Sequence, residues 1–118
     1  MMAKANFNQE VKSVVDEILL QFPGVVEGQM FGYPAYYLNK KMVACVYQDG
    51  VGLKVPETTA TELLEKAHIT YFQPLGRRKM REWIQIDHAD PQDFLLDESI
   101  FEASFNYLRS LTEKGPSR

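Results

Sequence analysis

The chain has 118 residues, of which 45% are hydrophobic and 25% charged, and its net charge is −3. These values are typical of one globular domain that needs no disulfide or metal to fold, and the single cysteine excludes an intrachain disulfide. The slight acidity argues against a dedicated nucleic-acid binder, and no apolar run is long enough for a signal peptide or a membrane span. We therefore expect one cytoplasmic domain over residues 1–118, with a core at about 6–112 and a frayed tail at 113–118.

The first predicted element is an amphipathic helix near the start of the chain. Asn6, with Gln9 three residues later, has the spacing of a capping box, and Pro23-Gly24 ends the helix. Between these signals the apolar residues recur at helical spacing: Phe7, Val11, Val14, Val15, Ile18 and Phe22.

After Gly28 the hydrophobic period changes and predicts an antiparallel meander over about 30–55. The Asp49-Gly50 pair suits the positive φ of a tight hairpin turn. One strand of the meander, at 42–47, is apolar at every position, so we expect both of its faces to avoid water. In chain order the predicted parts are a short strand at 30–31, a break at 32–34, and strands at 35–38, 42–47 and 51–55, with polar turns at 39–41 and 48–50.

The second half of the chain is predicted to add two helices and one or two strands. The last helix is capped by Asp90, starts at Pro91 and buries a stripe of Phe94, Phe101, Phe105 and Leu108. The predicted fold class is therefore α+β, with an antiparallel sheet and helices mainly on one of its faces. Before the last helix come a helix opened by Pro56 with Thr59 and Glu62 at capping-box spacing, an extended piece at 71–72 and a strand at 82–86.

The face of the sheet away from the helices is predicted to be aromatic. If Ile84 and Ile86 face the helices, Trp83 points to the opposite side. An exposed aromatic face usually marks an interface, so we expect a homodimer or another protein partner there. Ordinary packing of aromatic residues within a sheet is the alternative, and base stacking is a weaker one. The other aromatic residues assigned to this face are Tyr33, Tyr36, Tyr37 and Tyr47.

Six short motifs follow one another along the chain: Met30-Phe31-Gly32, Tyr36-Tyr37-Leu38, Lys41-Met42-Val43-Ala44, Val51-Gly52-Leu53-Lys54-Val55, Gly76-Arg77 and Lys79-Met80-Arg81-Glu82-Trp83-Ile84. Their order and spacing resemble the TfoX N-terminal domain family. The resemblance implies a two-layer fold similar to secretion chaperones and YjbR-like proteins, and a link to TfoX/Sxy regulators of natural competence. Those regulators carry a second, helical C-terminal domain; this sequence ends at Arg118, so we expect a stand-alone domain. The resemblance supplies no catalytic residue.

A basic loop at 77–81 is the most distinctive charged feature of the sequence. Four cations in five residues could bind a small anionic ligand or the phosphates of a nucleic acid. They could also face solvent or pair with the acidic residues of the segment 87–102, a segment that contains no Lys or Arg. The cations are Arg77, Arg78, Lys79 and Arg81.

Other residues that often carry chemistry give no site pattern. The two histidines, His68 and His88, are interpreted as structural, because a metal site would need more ligands within range. Cys45 lies in the strand expected to be central, where a thiol is usually inert. Gly32 and Gly76 could shape the rim of a cleft, although glycine more often only permits an unusual backbone angle. No nucleotide-binding or hydrolase motif occurs.

The sequence therefore predicts a small binding or regulatory module with no cofactor, metal or catalytic residues. Its expected binding residues are Arg77, Arg78, Lys79, Arg81, Trp83, Tyr33 and Tyr36, which combine the basic loop with the aromatic face. Two alternatives stay open: a nucleic-acid-associated regulator of transcription or competence, and an enzyme of unrecognised type.

Overall fold

The computed structural model describes residues 5–114, with side chains to Thr112, and its helices pack mainly on one face of a six-stranded antiparallel sheet. The strands lie in the order β1-β2-β3-β4-β6-β5, so the predicted α+β, two-layer class with a central meander is confirmed. The elements are α1 (Gln9–Leu19), β1 (Val25–Met30), β2 (Tyr33–Leu38), β3 (Lys41–Tyr47), β4 (Gly50–Lys54), α2 (Glu57–Leu63), β5 (Ile69–Tyr71), β6 (Trp83–Asp87) and α3 (Glu98–Lys114), with 3-10 helices at Pro74–Gly76 and Pro91–Asp97.

The predicted N-cap of the first helix, Asn6, is wrong, because the helix is capped two residues later. Asn8 is the N-cap, and its Oδ1 accepts hydrogen bonds from the N–H groups of Glu10 at 2.8 Å and Val11 at 3.2 Å. Asn6 is extended instead, and its carbonyl accepts a hydrogen bond from the N–H of Gln48 at 2.8 Å. This bridge to the β3–β4 turn competes with helix formation at Asn6 and delays the start of α1.

The first strand of the meander is longer and starts earlier than predicted, because β1 covers Val25–Met30 and not 30–31. The break predicted at 32–34 is a tight turn at Phe31 and Gly32, which both have positive φ (52° and 86°), and Pro34 lies inside β2. The β2–β3 turn at Asn39 and Lys40 is confirmed, with φ values of 51° and 71°.

Gly50 is required by a close approach rather than by its backbone angle. The positive φ of the β3–β4 turn belongs to Gln48 (55°), so the expectation for the Asp-Gly pair is wrong. A Cβ at Gly50 would lie 2.8 Å from the carbonyl oxygen of Ile86 and would also clash with the Asp87 carboxylate. Gly50 therefore allows β4 and β6 to pair closely, as Gly50 and Asp87 do in the register.

The helical layer follows the sequence pattern more closely. Asp90 caps the Pro91–Asp97 3-10 helix by accepting a hydrogen bond from Gln92, and this helix leads directly into α3. The predicted capping box of α2 is wrong, because that helix already begins at Glu57 with Pro56 at the N-cap. The predicted stripe of the last helix is buried against the sheet: Phe94, Phe101, Phe105 and Leu108.

A second, smaller core lies on the opposite face of the sheet. Its buried members are Tyr33, Cys45, Tyr47, Phe72 and Trp83, with Ala5, Phe7, Met30, Met42 and Met80 packed at its margin. The segment 72–82 and the residues before α1 supply its cover, so both faces of β3 are dry, as predicted. Along the described chain, no helix combines the length and apolarity needed to cross a bilayer.

A methionine-lined cavity beside the basic loop

The aromatic face expected at the surface is largely buried by the chain itself. Trp83 is 9% exposed, Tyr33 7% and Tyr47 9%. Their rings pack together, with ring centroids 4.8 Å apart for Tyr33 and Tyr47 and 5.7 Å apart for Phe72 and Trp83. The prediction of an open aromatic patch is therefore wrong, because the segment 72–82 folds back over that face.

Tyr36 does not belong to this face at all. It points to the helices, is 1% exposed, and its hydroxyl donates a hydrogen bond to Asp16 Oδ1 at 2.6 Å. Burial, followed by this hydrogen bond, raises the pKa of Tyr36 well above its usual value. Tyr36 is thus a core residue, whereas Tyr37, half-buried, donates to the carbonyl of Gln29.

Segment 72–82 is fastened to the sheet at two levels. The hydroxyl of Tyr47 accepts a hydrogen bond from the Leu75 N–H at 3.0 Å. Deeper in the sheet, the ring of Phe72 lies against Gly52, where a Cβ would come within 2.6 Å of three ring atoms. The absence of a side chain at Gly52 therefore makes room for Phe72, the largest side chain of this cover.

The four cations of the basic loop are all exposed and do not neutralise the acidic segment. Of these four cations, Arg81 alone forms an ion pair within the described residues, with Glu57 at 3.5 Å, and both of those side chains are well solvated. Arg77 lies over the ring of Phe31 at 5.4 Å, and Lys79 lies over Tyr71 at 4.7 Å. The alternative that the loop pairs with 87–102 is therefore wrong for the described residues.

A cavity of about 120 Å³ opens between the basic loop and the sheet. Its walls are apolar, and Arg77 is the one charged residue among the described residues that line it. Three methionines make the lining deformable, because the unbranched thioether side chain adapts to irregular shapes. The lining consists of Met30, Phe31, Met42, Phe72, Pro74, Leu75, Arg77, Met80 and Trp83.

Two bulky residues at the mouth of this cavity have left-handed backbone and exposed side chains. Phe31 has φ 52° and is 66% exposed; Leu75 has φ 56° and is 53% exposed. A left-handed conformation costs a residue with a Cβ roughly 1–2 kcal/mol, and such residues cluster at binding sites. The neighbouring glycines predicted at a rim, Gly32 and Gly76, complete both turns with φ values of 86° and 75°.

Cys45 and the histidines lie away from the mouth of the cavity. Burial raises the pKa of the Cys45 thiol to about 12, which disfavours the thiolate that a nucleophile needs. His68 directly precedes β5. It lies beside His88 and Asp97, and one donor atom from each of these three residues lies within 4.8 Å of the others.

Sequence reasoning found the basic loop but missed the cavity beside it. The missed residues are the three methionines with Phe31, Phe72, Pro74 and Leu75. One signal is present in the sequence: Met30 and Met42 begin predicted strands, and Met80 lies within the basic loop. Comparisons with protein-family models, curated proteins and solved structures gave no match to this chain, so the resemblance to TfoX N-terminal domains stays a prediction.

Proposed function

We propose that this chain is a non-enzymatic binding module that takes a leucine side chain of an acidic protein segment into the methionine-lined cavity. The observation that supports it is the meeting of Phe31, Leu75 and Arg77 at the cavity mouth. Two exposed apolar side chains and a guanidinium at one opening suit a partner that offers an apolar anchor beside a carboxylate.

The size of the cavity supports a single apolar anchor. An apolar cavity of about 150 Å³ can accommodate benzene, so about 120 Å³ suits one aliphatic side chain. The cations of the basic loop would raise the association rate and the selectivity for a partner more than the affinity, because they are exposed. Arg78 and Lys79, exposed and without an ion pair within the described residues, are suited to attract an acidic segment.

We further propose that the partner is a second copy of the chain. Leu95 is 42% exposed and Leu96 79% exposed, within the acidic segment that the basic loop leaves unpaired. In a two-fold dimer each copy would offer Leu96 to the cavity of the other, so the contact would form twice. This route to the predicted homodimer uses a different surface from the aromatic face, which is buried.

Sedimentation equilibrium of the protein over micromolar to millimolar concentration tests this proposal. We expect a dimer whose dissociation constant rises with salt concentration. Leu96→Ser or Arg77→Glu should raise the dissociation constant at least about tenfold, because removing a central anchor commonly costs 1–2 kcal/mol or more. The double variant should be little worse than either single one, because the two residues act at the same contact. Leu20→Ser, at a leucine that is 36% exposed beyond α1, is the matched control and should leave association unchanged.

A peptide copying residues 92–99 separates the module from its partner. If the protein is monomeric but binds this peptide, and Arg77→Glu removes binding, the module stands and the second copy is not its partner. Failure to dimerise and to bind the peptide refutes both.

The TfoX-like regulatory role and the nucleic-acid alternative predict binding to DNA or RNA that weakens steeply with salt. The burial of Tyr33 and Trp83 favours the protein partner, because neither ring is free for base stacking.

A further inference from the structure

His68, His88 and Asp97 form a compact polar cluster away from the methionine-lined cavity. The backbone brings them together: His68 directly precedes β5, His88 directly follows β6, and the Asp87 N–H donates a hydrogen bond to the His68 carbonyl at 3.0 Å. Asp97 arrives from the 3-10 helix that leads into α3. Three separate parts of the chain therefore converge on one point.

One polar atom of this cluster lacks a partner. The Nε2 of His68 is buried, and no hydrogen bond satisfies it among the described residues. Such an unsatisfied group is costly, so native proteins rarely leave one without a bound ion or water. The His68 and His88 rings pack against each other in a tilted arrangement, with centroids 4.7 Å apart and planes inclined by 30°.

The other two side chains have the features of prepared ligands. His88 Nε2 lies 2.6 Å from Asp97 Oδ2, and the side chains of both residues are largely buried, at 14% and 11% exposure. The edge of Phe94 packs on the His88 ring at 4.8 Å and restricts its rotation. A buried carboxylate is normally paired or bound to a metal, and this one faces two imidazoles.

We propose that His68, His88 and Asp97 bind a divalent transition-metal ion of the zinc class. Two imidazole nitrogens and one carboxylate oxygen are the ligand set that borderline ions such as Zn²⁺ prefer over Mg²⁺ or Ca²⁺. The donor atoms lie within 4.8 Å of one another, whereas ligands of a tetrahedral zinc at about 2.0–2.2 Å stand roughly 3.3 Å apart. Modest side-chain rotation closes this gap, and three protein ligands leave one coordination position open.

This site is independent of the proposed dimer, although Leu96 is adjacent to Asp97 in sequence. Isothermal titration of tag-free, metal-stripped protein with ZnCl₂ tests it, and Co²⁺ gives a second readout through its visible absorption bands. We expect one ion per chain, and a rise of several degrees in melting temperature, because a ligand at about a hundredfold excess over its dissociation constant shifts the unfolding equilibrium about a hundredfold.

Two variants identify the ligands. His68→Gln and Asp97→Asn should each weaken Zn²⁺ binding at least about tenfold and reduce the Co²⁺ bands, while Asp93→Asn, on the same 3-10 helix, should do neither. Circular dichroism of each metal-free variant checks that it is folded. If Asp97→Asn unfolds, His68→Gln alone decides, because its buried nitrogen has no hydrogen bond to lose. No binding by the wild type at submillimolar zinc, or equal binding by wild type and His68→Gln, overturns the site.

Discussion

Gly52→Ala tests the cover over the second face of the sheet with a single added methyl group. Gly52 lies in β4 with ordinary backbone angles, so alanine meets no conformational strain there. Its Cβ would lie 2.6 Å from Cδ2, Cε2 and Cζ of Phe72, closer than real Cβ atoms approach. The clash exists only if Phe72 covers this face as described.

The magnitude follows from how little room the ring has to move. Phe72 is 1% exposed and is enclosed by Tyr47 and Trp83, whose ring centroids are each 5.7 Å away. Forcing extra volume into such packing costs about 1–3 kcal/mol, and replacing glycine in a strand returns about 0.5–1 kcal/mol. We therefore expect Gly52→Ala to lower the free energy of unfolding by about 1–2 kcal/mol.

Urea denaturation of four proteins measures this effect and its origin: wild type, Gly52→Ala, Phe72→Leu and the double variant. Leucine leaves room for the methyl group, so the two changes should be less than additive by about 1 kcal/mol. Gly28→Ala is the control, because its Cβ would meet only the half-buried ring of Tyr37, which can rotate away. If Gly52→Ala does not change the free energy of unfolding, or if its cost is the same in the Phe72→Leu background, Phe72 does not cover this face as described.

Three further predictions concern hydroxyl and thiol groups. Cys45, with its pKa raised to about 12 by burial, should have a thiolate fraction near 10⁻³ at pH 9 and react with a thiol reagent only after denaturation. Tyr47→Phe leaves the Leu75 N–H without its acceptor, so it should cost about 0.5–1.5 kcal/mol and speed hydrogen exchange in 72–82 more than elsewhere. The hydrogen bond from Tyr107 to Glu82 at 2.6 Å, with burial, raises the pKa of Tyr107 to about 12. The stability that this hydrogen bond contributes is therefore complete below pH 10 and lost as the pH rises through 12. A tyrosinate absorbance titration of wild type against Tyr107→Phe should show the raised pKa, and urea denaturation of both proteins at several pH values should show the loss of stability.

The central part of the fold could be predicted because its pattern is local. The strands after Gly32 are apolar runs between polar turns, and α3 has a regular buried stripe. The strand β1 could not be found in this way, because it lies at the sheet edge and contains Glu27, Gly28 and Gln29, with only Val25 buried. Neither face of β1 is fully covered, so most of its side chains remain exposed or half-buried and no apolar alternation marks the strand.

The error at Tyr36 was avoidable from the sequence, whereas the error at Trp83 was not. Tyr36 and Tyr37 are consecutive residues of the predicted strand at 35–38, so strand alternation alone places them on opposite faces and excludes assigning both to the aromatic face. A β-bulge between Tyr36 and Tyr37 then alters the pairing with β3. The burial of Trp83 depends instead on where the irregular segment 72–82 folds, and no hydrophobic period records such a tertiary contact.

The same segment explains why the candidate site lies at the mouth of a small core and not on an open face. Phe72 and the Tyr47 hydrogen bond hold the start of segment 72–82 against the sheet, and Met80 and Trp83 hold its end. Most residues between these anchors are exposed, and Leu75 and Arg77 among them line the cavity. A change that loosens the anchors should therefore weaken binding at the mouth even when every rim residue is intact. This coupling makes Gly52→Ala, whose clash lies beneath the cavity, a test of the binding surface as well as of the fold.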